Sequence, residues 1–178
     1  MKILLPERSE LSPDLSPVFD ACKAALGFVP NFALMLGYSP HVLDSYLHLS
    51  DGQAQGVFNQ TERETILLAV SQFHGSPYCL AAHSAYARAA GLSAEETIDA
   101  RKGTLADEKL NFLARFARAI AEHRARVPRE MMDDFEAYGY GAQALMDVIG
   151  LVVESTFSNY VGLLTKVPVD FPEVEWVE

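Results

Sequence analysis

Cys79 and His83, four residues apart just after a helix-start signal, pair a thiol with an imidazole on what reads as one helix face. The run is Gly75-Ser76-Pro77-Tyr78-Cys79-Leu80-Ala81-Ala82-His83. Ser76 is suited to the N-cap, where its side-chain oxygen takes an orphan backbone N–H, and Pro77 suits the first helical position, where no N–H is missed. Cys79 then falls in the first turn. There the positive end of the helix dipole favours thiolate over thiol, and an imidazole at i+4 is near enough to accept or share the proton. Spacing alone therefore proposes a Cys/His pair, and the cap and the imidazole are the physical means of activating a thiol by lowering its pKa from the roughly 8.5 of a free cysteine. The duller reading is a small hydrophobe buried on the first turn of a core helix, a common fate of free cysteine.

Glu64 adds a third group. It lies in Asn59-Gln60-Thr61-Glu62-Arg63-Glu64-Thr65-Ile66-Leu67-Leu68-Ala69-Val70-Ser71-Gln72-Phe73-His74-Gly75, which has helical spacing and ends on a plausible C-cap glycine. Glu64 shares its face with Leu67, Leu68 and Ser71, and a carboxyl on an apolar stripe is either partnered or carries a raised pKa, both of which suit a proton relay to His83. Two registers compete. Asn59 with Glu62 makes one capping box and leaves Glu64 facing the core; Thr61 with Glu64 makes another and turns the carboxylate back to the backbone. Ser76 reads as a structural cap, and Tyr78 as a pocket wall rather than an acid. His41, His48, His74 and His123 lack metal-ligand spacing to one another, so no metal site and no cofactor is expected.

Glu64, eleven residues, Ser76, two residues, Cys79, three residues, His83 resembles the signature of the alkylhydroperoxidase D-like/carboxymuconolactone decarboxylase family, in which both marked positions of the turn are usually cysteines. Gly27-Phe28-Val29-Pro30-Asn31 with Ser39-Pro40 is similar to the N-terminal half of its peroxidase-related branch. The resemblance implies an all-α, single-domain alkylhydroperoxidase D-like fold over 1–178, assembled as a homo-oligomeric trimer or hexamer. It also implies that Cys79 attacks, that His83 and Glu64 relay protons, and that Ser76 stands where the resolving cysteine should be. The family's two-cysteine chemistry takes an attacking thiolate to a sulfenic acid that its neighbour resolves into a disulfide. Ser76 cannot perform that second step. The expected activity is thus peroxidase-like: a single cysteine reduces a small hydroperoxide, and an external thiol, or Cys22, clears the sulfenic acid. One alternative is an acid–base enzyme on a small carboxylate or lactone, with Cys79 merely lining the pocket beside Ser76 and Tyr78. Another is a non-catalytic oligomeric binding protein that buries a final helix read as apolar all round, 142–164, between subunits.

Composition bounds these readings. With 178 residues, 21% charged and 49% hydrophobic, the chain is an ordinary globular mixture, large enough for a core without disulfides or metals. A formal charge of −10 leaves no basic stripe for nucleic acid. The N-terminal apolar run Met1-Lys2-Ile3-Leu4-Leu5 is too short for a secretory signal, and the apolar run 142–153 is too short for a membrane span, so the expected location is the cytoplasm, with Cys22 and Cys79 both thiols. Helices are predicted at 17–26, 31–37, 40–51, 60–74, 77–90, 94–100, 107–124, 129–138 and 142–165, with no hairpin signal. From Lys166 on, the tail reads as extended, either coil on its own domain or an arm across a neighbouring subunit.

Overall fold

The computed structural model describes residues 3–177, so Met1 and Lys2 of the N-terminal run lie outside the described residues. All nine predicted helices form: α1 (Ser16–Leu26), α2 (Asn31–Leu36), α3 (Pro40–Ala54), α4 (Gln60–His74), α5 (Pro77–Ala89), α6 (Ala94–Lys102), α7 (Glu108–Glu122), α8 (Arg129–Ala137) and α9 (Ala142–Thr165). There is no strand among the described residues. Two short 3₁₀ turns, Arg8–Glu10 and Pro13–Leu15, precede α1 and carry no helical period by which a sequence could reveal them.

The largest boundary differences have local causes. The expected break at 52 does not occur, and α3 continues through Gly52 to Ala54, where Gln53 lies so close to Gly150 of α9 that a β-carbon there would collide with it. Helix α6 likewise runs past Ala100 to Lys102, because the stop is Gly103, which adopts the left-handed conformation at φ +71°.

Helix α4 is the hub, packing against α5, α6, α7 and α9. Eight consecutive residues, Glu64 to Ser71, are buried, so this helix is covered on every side. Both of its ends are specified locally. Asn59 accepts from Glu62 N while the Glu62 carboxylate accepts from Asn59 N, each at 3.0 Å, which is the first of the two competing capping boxes. Thr61 instead donates its hydroxyl to Ala90 O at 3.0 Å, freeing Glu64 to face inward. At the other end Gly75 takes φ +74°, and Ser76 at once caps α5, accepting from Cys79 N at 3.4 Å.

Helix α9 departs from expectation in its polarity. It is 24 residues long, and by length and composition alone could cross a membrane. It is not apolar all round, however: Glu154, Ser155, Ser158 and Asn159 are buried against the other helices, while Met146, Val153, Tyr160 and Leu164 are exposed. These four polar residues point inward, and part of the helix's apolar surface points out.

The tail packs on its own chain. Asp170 accepts from Asn31 N at 2.6 Å, supplying the cap that Pro30 cannot give α2, and Asn31 Nδ2 donates to Pro168 O at 3.0 Å. Phe171 sets its ring edge-on to Phe28, Tyr78 and Tyr86. Farther on, buried Arg101 donates to Glu175 O at 2.8 Å, and Trp176 lies over Gly75.

Candidate active site

The two-residue corner Gly75-Ser76 folds α5 back along α4, so a residue early in α4 meets one in the middle of α5. Glu64 and His83 are that pair: His83 Nδ1 lies 2.9 Å from Glu64 Oε2, with both side chains largely buried. When Nδ1–H donates to the carboxylate, the lone pair stays on Nε2, which has no protein hydrogen bond among the described residues. The dyad therefore presents a basic nitrogen with a carboxylate behind it.

Cys79 is only 3% exposed, but it is not sealed in hydrocarbon. A cavity of about 300 Å³ is lined by Cys79, His83, Glu64 and Tyr78, together with the aromatic rings of Phe32, Tyr46, Tyr86 and Phe171. Tyr78 is a wall, as expected: its hydroxyl accepts from Phe32 N at 3.3 Å, and burial pushes its pKa far up. Ser76 is fully buried beneath the sulfur as a cap and does not line the cavity.

Two expectations about the thiol are corrected. It makes no hydrogen bond to His83; its proton points to Ser158 Oγ on α9, 3.8 Å away, so the i+4 spacing brings thiol and imidazole into one cavity without joining them. Nor is the thiol activated at rest. Burial pushes the Cys79 pKa up, outweighing the hydroxyls of Ser76 and Ser158 and the local backbone, which pull it down. Alkylation of Cys79 by iodoacetamide is accordingly expected to rise with pH, with a midpoint above the ordinary thiol range, and to lag behind that of the more exposed Cys22. Peptide mass spectrometry across a pH series measures both; a midpoint below about 8.5 would show the opposite balance.

Helix α9 supplies the residues that sequence reasoning missed. A β-carbon on Gly162 would stand 2.8 Å from Ser76 Oγ and 4.0 Å from Cys79 Sγ, so this glycine lets α9 approach the start of α5 closely. With Ser158 on Cys79, the two helices run antiparallel in register: Gly162 opposite Ser76, Ser158 opposite Cys79, and Glu154, one turn earlier, at the level of His83. Glu154 is 5% exposed and lines the cavity. Burial, with the Glu64 carboxylate adding to it, pushes its pKa up, while Ser50, His83 and Arg63 pull it down. The available signal was an acid directly after Val152 and Val153 in a largely apolar helix, the same kind of signal that singled out Glu64.

Cys22 lines the cavity from α1, and neither cysteine is in a disulfide. Arg63, the cavity's arginine, is engaged elsewhere, donating to Ala54 O at 3.1 Å. His74 meets Thr156 Oγ1 at 3.2 Å and takes no part. No cluster of His, Cys, Asp and Glu suited to a metal occurs among the described residues.

Residues 40–123 match the model of the carboxymuconolactone decarboxylase family. That segment holds Glu64, Ser76, Cys79 and His83 but not Glu154 or Ser158. No curated protein sequence matches the chain. Among solved structures, the alkylhydroperoxidase AhpD core of an uncharacterized peroxidase-related protein from Ralstonia eutropha JMP134 aligns with TM-score 0.86 at 20% identity, over 95% of this chain and 92% of its own. An uncharacterized peroxidase-related protein from Silicibacter sp. TM1040 gives 0.83 at 18% identity, over 99% of this chain and 92% of its own. A cysteine-to-alanine variant of the debrominase Bmp8, in complex with 2,3,4-tribromopyrrole, gives 0.81 at 22% identity, over 96% of this chain and 92% of its own. At these identities the likeness is one of fold, and the fold is the all-α alkylhydroperoxidase D-like one.

Proposed function

We propose, from a carboxymuconolactone decarboxylase-type segment at 40–123 set in an alkylhydroperoxidase D-like fold, that this protein is a one-cysteine oxidoreductase that reduces small organic hydroperoxides at the expense of an external thiol. The observation that carries the proposal is the shared cavity: the Cys79 thiol, the His83–Glu64 dyad and a wall of aromatic rings enclose one space. Because the thiol is neutral at rest, the chemistry begins when His83 Nε2, directly or through a water, takes the Cys79 proton beside bound substrate, with Glu64 holding the imidazolium that forms. The thiolate attacks a peroxide oxygen, forming an S–O bond as O–O breaks, and leaves a sulfenic acid and an alcohol. One external thiol then condenses with the sulfenic acid to a mixed disulfide and water, and a second restores Cys79. Cytoplasmic placement suits such a cycle, since a reducing compartment supplies the thiol. The test is peroxide consumption by the purified protein with and without a small thiol, together with mass spectrometry of Cys79 after peroxide alone. An unmodified Cys79, at doses that oxidise ordinary exposed thiols, would reject the proposal.

A second reading, acid–base catalysis on a small carboxylate or lactone, draws on the complete dyad beside a neutral thiol. Against it, the cavity carries two buried carboxyls, and Arg63 is engaged with backbone carbonyls, so an anion finds little attraction. Self-association, as a trimer or hexamer, is part of the proposal and is also what a non-catalytic binding role would need. It is supported by the exposed stripe Met146, Val153, Tyr160 and Leu164, whose spacing of seven, seven and four keeps it on one face of α9. Light scattering on V153E/Y160E is expected to return the mass of a monomer where the parent protein is larger; an unchanged mass would exclude this face.

A further inference from the structure

Breaking a peroxide bond expels an oxygen that needs a proton, and the His83–Glu64 dyad is occupied at that moment with the proton of the thiol. The cavity contains one more acid. Glu154 projects from α9 on the face that carries Ser158, one turn from the residue touching the sulfur and at the level of His83. Among the described residues it forms no ion pair, unlike Glu64. It shares the cavity with Tyr46 and Ser50 from α3, Arg63 and Glu64 from α4, and Cys79 and His83 from α5. Burial and the neighbouring Glu64 carboxylate favour the protonated form of this carboxyl and outweigh the Ser50 hydroxyl and the His83 and Arg63 charges, which favour the ionised one, so its pKa is raised.

We propose that Glu154 is the general acid of the reaction, giving its proton to the oxygen that departs when the peroxide bond breaks. This rests on the hydroperoxide reading above and extends it. Cys79 sulfur attacks the terminal oxygen of ROOH; as O–O breaks, its electron pair leaves on RO, which takes the Glu154 proton and departs as ROH. Sulfur is oxidised to the sulfenic acid, and the peroxide is reduced to the alcohol. The proton removed from the thiol, held on His83, passes across the helix pair to the Glu154 carboxylate, and the step ends with no net change of charge in the cavity. The two carboxyls thus divide the work: Glu64 backs the base, and Glu154 serves the leaving group.

The leaving group provides the test. Single-turnover oxidation of Cys79, followed by mass spectrometry, is compared for the parent protein and E154Q with cumene hydroperoxide, whose alkoxide must be protonated, and with peracetic acid, whose acetate leaves unaided. E154Q is expected to be about 100-fold slower with the first and little changed with the second, and E154D is expected to recover part of the loss. Equal slowing with both oxidants, or none with either, would overturn the assignment, and E154D alone decides if E154Q does not fold. If the parent protein oxidises Cys79 with neither oxidant, the hydroperoxide reading itself fails and this one falls with it, an outcome distinct from any specific to Glu154. A stability measurement separates acid from mere packing. A buried carboxyl with a raised pKa destabilises the fold as pH climbs through the carboxyl range, so E154Q should have the higher Tm at neutral pH and lose that advantage toward acid.

Discussion

Cys79→Ser is expected to reduce hydroperoxide consumption to the rate of buffer and free thiol alone, with helical content and Tm close to those of the parent protein. The substitution is nearly isosteric. A hydroxyl at position 79 can keep the hydrogen bond to Ser158 that the thiol makes at 3.8 Å, and the cap from Ser76 is to the backbone and unaffected. The large effect lies in the chemistry: a serine oxygen has no accessible counterpart to the sulfenic acid, so no second oxidation state links the peroxide to the reductant. Thiol-coupled peroxide turnover measures it directly. The same variant discriminates between the two catalytic readings, because acid–base work by His83 and Glu64 would survive loss of the sulfur. Retained peroxide turnover in C79S would transfer the activity to Cys22 or reject it altogether.

Glu64→Gln is expected to slow single-turnover oxidation of Cys79 by about 10²–10⁴-fold, the usual range for loss of a positioned acid–base group. A glutamine can accept from Nδ1–H through its oxygen but supplies no negative charge for the imidazolium. If its amide nitrogen turns to His83 instead, the ring must carry its proton on Nε2, which is then no longer a base. Because the carboxylate acts through the imidazole, the double variant with H83A should be no slower than roughly the worse of the two single variants, since residues that work as one unit are not additive. Rates that multiply would place Glu64 and His83 in separate roles. A further sign comes from pH: deprotonation of a neutral thiol by a remaining weak base makes the residual rate of E64Q rise more steeply toward alkaline pH than that of the parent.

These two residues were legible early because a short-range pattern carried them. Capping rules place the ends of α4 and α5 at Asn59, Gly75 and Ser76, and helical period then puts Glu64 on the buried face and Cys79 and His83 on a common one. A competing cap at Thr61 could be separated from the correct one only by the structure, in which the Thr61 hydroxyl is taken by Ala90 O. Glu154 and Ser158 were not found, although the signal at Glu154 was of the same kind, because Ser158 lies 79 residues beyond Cys79, with Glu154 one turn before Ser158, and nothing local ties α9 to the cysteine turn. The tie is Gly162, whose missing side chain allows the close approach, and a glycine inside a long apolar helix does not by itself say which helix comes near.

The chain's local chemistry determined the all-helical class, the caps, the cysteine at the start of its helix and the carboxyl with the imidazole that would serve it, since each depends on neighbours within a turn or two. Tertiary packing decided the rest. It buried the thiol and so reversed the expected direction of its pKa, it directed the sulfur's hydrogen bond to Ser158 rather than His83, and it brought a second acid to the cavity from α9. Desolvation and long-range contacts depend on what surrounds a group in space, and spacing along the chain does not contain that information.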